Sequence, residues 1–408
     1  MVTIDRERFR ESFENYSRIG ATANGGLHRL TLTEADKRAR DTFVDDLEAL
    51  GLDVRIDRIG NIFGRRDGTD PTADPVLIGS HLDSQPYGGR FDGQLGVLAS
   101  LETLRGLDDE GVETERPIEI VNWTNEEGSR FQNALLGSSV FAGNTELETA
   151  LGLTDDEGTT VEEALGEIGY DGDHPAGPSD IHAHIELHIE QGPSLEAHGN
   201  TLGIVEGVYG MSWLRATITG DSDHAGPTPM HTRSDAMATA ADAVSEINRL
   251  PNRLSADAVS TVGEFTIGPG SINVVPDTAE FTVDVRSDDD SVVAEAVTRV
   301  KQEVEHACSR HSTTASVEDV WSIESTAFDD SVCDVIESVA DDQGIAHERM
   351  PSGAAHDAKH LNDIAPTAML FAPSVDGKTH NEAELTEWDD CVRTANCYAA
   401  VTVELATQ

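Results

Sequence analysis

Apolar and polar positions change period several times along the chain, and the changes outline its elements. Over residues 34–50 (EADKRARDTFVDDLEAL) the spacing is helical, and Gly51 suits a C-terminal stop. A β-rich stretch, VRIDRIGNIFGRR, follows. PVLIGSHLDS reads as a buried strand running into polar residues, and FDGQLGVLASLETLRGL as an amphipathic helix that starts at Asp92-Gly93. RPIEIVNWTNEEG is a second buried strand, ending in acid. Strands and helices in alternation predict an α/β sheet with helices on both faces.

Near Trp213 the pattern restarts as a smaller unit. WLRATITG is a strand and SDAMATAADAVSEINRL a helix. STVGEFTI and TAEFTVDVRS are strands, SVVAEAVTRVKQEVEHACSRH is a second helix, and SVEDVWSIES is a last strand. That β-α-β-β-α-β order is the split-βαβ, ferredoxin-like arrangement. From about Phe328 the first pattern resumes. The expectation is therefore a larger domain, residues 1–212 and 328–408, interrupted by an inserted α+β domain, residues 213–327.

Length agrees with two domains, since 408 residues exceed one ordinary core. Charge changes the picture more. With 76 acidic against 28 basic residues the net charge is -48, which repels nucleic acid and anionic membranes. The acids are spread along the chain and not gathered into a tail, which predicts a hydrated surface screened by concentrated salt. No apolar run is long enough to span a membrane. The N-terminal residues lack the apolar core of a secretory signal, so the expected location is cytoplasmic. Cys308, Cys333, Cys391 and Cys397 show no paired spacing and read as small buried residues.

The candidate chemistry lies at the ends of these units. His81 and Asp83 follow one buried strand, Asp92 opens the next helix, and Glu126-Glu127 follow another strand. His188 lies in IHAHIELHIEQG and His380 in FAPSVDGKTHNEAE. In open α/β sheets the crevice beyond the carboxyl ends of strands is where ligands bind. Imidazole with carboxylate is the ligand set of zinc or a similar divalent ion. A carboxylate such as Asp92 can bridge two ions, and a bridged pair can activate a shared water and stabilise an oxyanion. Asp83 is placed to orient the His81 imidazole. One of the adjacent glutamates is then free to act as the base. Each fragment alone is ordinary, because strand ends are commonly polar and this chain is full of acid. Their recurrence at the ends of successive units carries the reading.

On GSHLDSQPYGGRFDGQLGVLA, NWTNEEGSRF, ELHIEQGPSLE, DHAGPTPMHTRSDA, GPGSINVVPDTAEFTVDVRS, PSGAAHDA and THNEAE, the chain resembles the dinuclear-zinc aminoacylase and carboxypeptidase superfamily. Within it, EEGSRF and HIEQGP match the amidase/carbamoylase branch of N-carbamoyl-L-amino-acid hydrolases, β-ureidopropionases and allantoate amidohydrolases. The likeness runs along nearly the whole chain. Pro227, Ala355 and the Thr379–Glu382 stretch depart from the usual motifs without removing a candidate ligand.

The resemblance implies a mixed-sheet, zinc-exopeptidase-like catalytic domain with an inserted ferredoxin-like lid and dimerisation domain. It implies that His81 and His188 bind one metal, Glu127 and His380 the other, and that Asp92 bridges. Glu126 would be the general base and Asp83 the partner of His81. His224 would stabilise the oxyanion, while Gln191, Asn273 and Arg286 would hold the substrate carboxylate, a role suited to the guanidinium fork. The cofactors would be two divalent ions, zinc first, with manganese, cobalt or nickel as alternatives. The implied partner is a small ureido or amide substrate bearing a carboxylate, and the implied assembly is a homodimer. The expected reaction is metal-dependent hydrolysis of a linear, non-peptide C–N bond, in an N-carbamoyl-L-amino acid, allantoate or N-carbamoyl-β-alanine. Its rivals are an aminoacylase or dipeptidase on the same scaffold, and a non-catalytic binding module.

Overall fold

The computed structural model describes residues 2–407. The chain divides into two compact units, one made of residues up to Glu206 and from Phe328 onward, the other of Gly207–Ala327.

The larger unit is built on a mixed sheet. Its strands are β1 (Asp53–Ile56), β2 (Ile62–Arg66), β3 (Val76–His81), β4 (Ile118–Trp123), β5 (Ala183–Ile189) and β6 (Leu202–Val208), joined by His347–Ser352 and Thr367–Ala372. The order runs β1-β2-β4-β3-β5, then Thr367–Ala372, then β6, with His347–Ser352 also on β6. β4, β3, β5 and Thr367–Ala372 form a parallel core. β1, β2 and β6 join it antiparallel at the flanks. Every residue of β3, β4 and β5 is buried, as expected of parallel strands covered on both faces. On one face Ile62, Ile78 and Ile120 pack in a cluster with Phe43, Leu98 and Tyr398 from helices. On the other, Phe63, Leu77, Val121 and Trp123 pack with Phe141 and Leu361.

Local signals set the boundaries. The helix Glu34–Ala49 begins where Thr33 accepts from the Asp36 N–H, and Gly51 beyond its end takes the left-handed φ of 70°. The helix Gln94–Glu110 starts two residues later than Asp92, so Asp92 and Gly93 form the turn that enters it.

In the smaller unit the strand Gly210–Thr219 is followed by the helix Ala236–Ile247, the strands Val259–Thr261, Phe265–Gly268 and Thr278–Ser287, the helix Asp290–His311 and the strand Thr314–Ile323. Phe265–Gly268, Thr278–Ser287, Gly210–Thr219 and Thr314–Ile323 lie side by side in that order, all antiparallel, and Val259–Thr261 also pairs with Thr278–Ser287. Alternate residues face the helices: Leu214, Ala216, Ile218, Phe281 and Val283 pack with Ala240, Ile247, Val300 and Val304. The opposite face carries Trp213 and Trp321, half exposed, with ring centroids 5.1 Å apart.

All four cysteines are free and buried. Among the described residues no helix is long and apolar enough to cross a membrane.

Candidate metal centre

The parallel core delivers the site residues from its carboxyl edge. His81 is the last residue of β3, Glu126 and Glu127 come just after β4, His188 is the penultimate residue of β5, and His380 follows the strand Thr367–Ala372. Three tight backbone turns aim them. Asn125, Gln191 and His380 have φ of 56°, 59° and 53°, in the left-handed region that side chains rarely adopt. Gly93 has a φ of 62°, and a Cβ there would lie 2.5 Å from the His81 ring. Only glycine lets the Asp92 turn come this close.

The arrangement centres on Asp92. Its Oδ1 lies 3.4 Å from His81 Nε2 and 3.1 Å from His188 Nε2, and its Oδ2 lies 3.3 Å from His380 Nε2. Glu127 Oε2 is 3.6 Å from His380 Nε2, and Glu126 Oε2 is 3.5 Å from His81 Nε2. One carboxylate thus serves two clusters: His81, Asp92 and His188 on one oxygen, and Asp92, Glu127 and His380 on the other.

The imidazoles are oriented from behind. His188 Nδ1 faces the Ile189 carbonyl at 3.0 Å, and His81 Nδ1 faces the backbone carbonyl of Asp83 at 3.1 Å. Both leave Nε2 directed at Asp92. The Asp83 carboxylate is farther from His81 Nδ1, at 3.6 Å, and accepts instead from the N–H groups of Glu126 and Glu127. Asp83 therefore fixes the strand end that carries both glutamates.

Burial makes this cluster electrostatically crowded. Burial, with the charge of Asp92 next, pushes Glu127 up to about 7, and burial holds Glu126 well above the usual carboxylate range. Asp92 is also buried, yet its close contacts with the His188, His380 and His81 rings hold it well below that range. Its bond to Asp92 raises His380 to about 9. The donor set fits divalent cations. His81 Nε2 is buried without a hydrogen-bond partner, facing two carboxylates, and crowded buried acids need positive charge between them.

The remaining expected site residues divide into three places. Gln191 sits in the cluster, where its Nε2 donates to Asp92 Oδ2 at 2.8 Å and to Thr379 Oγ1 at 3.1 Å. His224 and Asn273 lie together in the smaller unit, where Asp223–His224 pairs with Val274–Val275 and the Ala225 N–H donates to the Asn273 carbonyl. Arg286 stands near the far end of the strand Thr278–Ser287 and forms an ion pair with Asp284 at 2.8 Å.

Several neighbours were not singled out from the sequence. Gln85 clamps Glu127, its backbone N–H on Oε1 at 2.9 Å and its side-chain amide on Oε2 at 2.7 Å. His356 packs under His188 with ring centroids 4.4 Å apart. Asp357 accepts from Ser138, and Glu186 from Ser80 and from the Ala358 N–H. Glu384 accepts from the N–H groups of Phe91 and Asp92. All of them lie in the fragments that carry the resemblance: Gln85 in GSHLDSQPYGGRFDGQLGVLA, Glu186 in ELHIEQGPSLE, His356 and Asp357 in PSGAAHDA, and Glu384 in THNEAE.

Two imidazole–carboxylate clusters sharing an aspartate, at the carboxyl edge of a parallel core, define a candidate metal-dependent hydrolase centre. Residues 77–404 match the model of peptidase family M20/M25/M40, and the chain belongs to that family of metal-dependent hydrolases. It is 41% identical over 381 residues, 93% of this chain and 92% of the relative, to an N-carbamoyl-L-amino-acid amidohydrolase of Rhizobium meliloti. It is 31% identical, with complete coverage of both chains, to an allantoate amidohydrolase of Escherichia coli. Among solved structures, an amidase of the hydantoinase/carbamoylase family from Burkholderia multivorans superposes with a TM-score of 0.97, at 42% identity, covering 100% of this chain and 99% of that one. The mixed α/β fold is that of the family, and the chain is an amidohydrolase, as its relatives are.

Proposed function

We propose that this amidohydrolase cleaves the ureido C–N bond of N-carbamoyl-L-amino acids, giving the amino acid, ammonia and carbon dioxide. The observation that carries the reading is Asp92, which offers one oxygen to His81 and His188 and the other to His380, with Glu126 alongside. The Rhizobium meliloti relative supports the choice of substrate. Allantoate is the second reading, favoured by the end-to-end match to the Escherichia coli relative.

His81 and His188 would hold one divalent ion, Glu127 and His380 the other, with Asp92 between them. Zinc is the first choice, and such ions would lower the pKa of a water and neutralise a developing oxyanion. Glu126 takes the water's proton and delivers it to the departing nitrogen. The carbamate released then decomposes to ammonia and carbon dioxide. His224 donates to the oxyanion, and Arg286 and Asn273 bind the substrate carboxylate. Gln191 joins them by turning its amide away from Asp92, to which it donates at 2.8 Å in this structure.

In this reading residues 213–327 form an inserted, ferredoxin-like lid and dimerisation domain, and residues 1–212 and 328–408 form the catalytic domain. The protein works as a cytoplasmic homodimer in concentrated salt, where counterions screen its net charge of -48. The test is ammonia release in molar potassium chloride with added zinc, manganese or cobalt. N-Carbamoyl-L-amino acids, N-carbamoyl-β-alanine and allantoate would be compared, with N-acetyl amino acids and dipeptides assayed by release of the free amino acid. Turnover of a carbamoyl amino acid is the expected result. Hydrolysis of acetyl or dipeptide substrates alone would replace this reading by an aminoacylase or dipeptidase.

A further inference from the structure

His380 is carried by a loop and, unlike the other candidate ligands, is about half exposed. Something must hold that loop against the Asp92 turn, because a cation shared by the two residues needs their spacing fixed. The contacts converge on Glu384. Its Oε1 accepts from the Phe91 N–H at 2.8 Å and from the Asp92 N–H at 3.2 Å. Its Oε2 accepts from the Thr379 hydroxyl at 3.0 Å, one residue before His380. The Thr379 oxygen in turn accepts from the Gln191 amide that also donates to Asp92 Oδ2. Glu384 is 5% exposed and is seated over Gly89, where any Cβ would fall 1.9 Å from its carboxyl carbon. The fit at Gly89 keeps the carboxylate in place.

We propose that Glu384 is a positioning residue that clamps the His380 loop to the Asp92 turn and thereby sets cation affinity at the Asp92, Glu127 and His380 cluster. This rests on the two-ion reading of the site. Glu384 itself touches neither His380 Nε2 nor a carboxylate oxygen of Asp92, so it acts through backbone and hydroxyl contacts. The cluster of His81 and His188 depends on it less, since those residues are carried within β3 and β5.

The test is titration of metal-free protein with cobalt(II), followed by its visible absorption, for the parent, Glu384→Ala and Glu384→Gln. The parent takes up two ions. Glu384→Ala binds one as the parent does and the other about 10–100-fold more weakly, with an altered spectrum for that ion. Glu384→Gln, whose amide oxygen still accepts from Phe91 and Asp92 and whose NH2 can donate to Thr379 Oγ1, restores most of the affinity. Two ions bound by Glu384→Ala with parental affinity and spectrum would overturn the clamp alone. Equal weakening of both ions would do the same, by showing a general structural role, as would failure of Glu384→Gln to rescue. A single ion in the parent would overturn the clamp together with the two-ion reading.

Discussion

The two units present their polar residues in opposite ways. In the larger unit His81, Asp92, Glu126 and His188 are buried, and each is held by a named neighbour. In the smaller unit His224 and Asn273 are exposed, joined by a ladder of two residue pairs, and Arg286 is satisfied by an adjacent aspartate. The difference teaches where the cost of function is stored. Crowded buried carboxylates are unfavourable until positive charge joins them, so changes in the larger unit should register in metal content, stability or turnover according to the residue changed. Exposed residues on a folded sheet cost little to keep, so changes in the smaller unit should register in turnover alone.

The largest expected effect tests the buried side. Glu126→Ala should lower kcat by about 10²–10⁴-fold while metal analysis still finds both ions, since Glu126 is assigned to the proton and not to the metal. Stability comes next. Asp36 and Arg40 form a fully buried pair at 2.7 Å in the larger unit. Asp36→Ala should cost about 3–5 kcal/mol in urea unfolding, because it strands a buried guanidinium. On the exposed side, His224→Ala should lower kcat by about 10²–10³-fold, with metal content and unfolding midpoint unchanged. A fall in metal content there would break the contrast. The smallest effect belongs to Arg249→Ala in the smaller unit. It removes an exposed ion pair with Glu246 and should change stability by less than about 1 kcal/mol.

Much of this was legible in the sequence where period and chemistry coincide. The turn after PVLIGS, the acids after IEIVNWT and the helix after Asp92 follow from hydrophobic pattern, and the parallel core brings their ends together. The strand AHIELHI was harder. Its alternation suggests a polar face open to solvent, yet His184, Glu186 and His188 are all buried, because the strand lies mid-sheet with cover on both faces. The clamps were not legible. Glu384 ends the fragment THNEAE, but it is one of 76 acidic residues and nothing in its spacing assigns it a clamping role. Two of its three partners are backbone N–H groups nearly three hundred positions away, a relation set by tertiary packing. Nor does the spacing of Gln191, proposed for the substrate carboxylate, announce the 2.8 Å hydrogen bond that its amide donates to Asp92 here.

The most direct test is ammonia release from an N-carbamoyl-L-amino acid by chelator-treated protein, reloaded with measured equivalents of zinc in molar potassium chloride. The account predicts no turnover from the metal-free chain and a rate that rises to a plateau at two ions per chain. Full turnover by protein shown to be metal-free, or no turnover at any loading by folded protein, would contradict it.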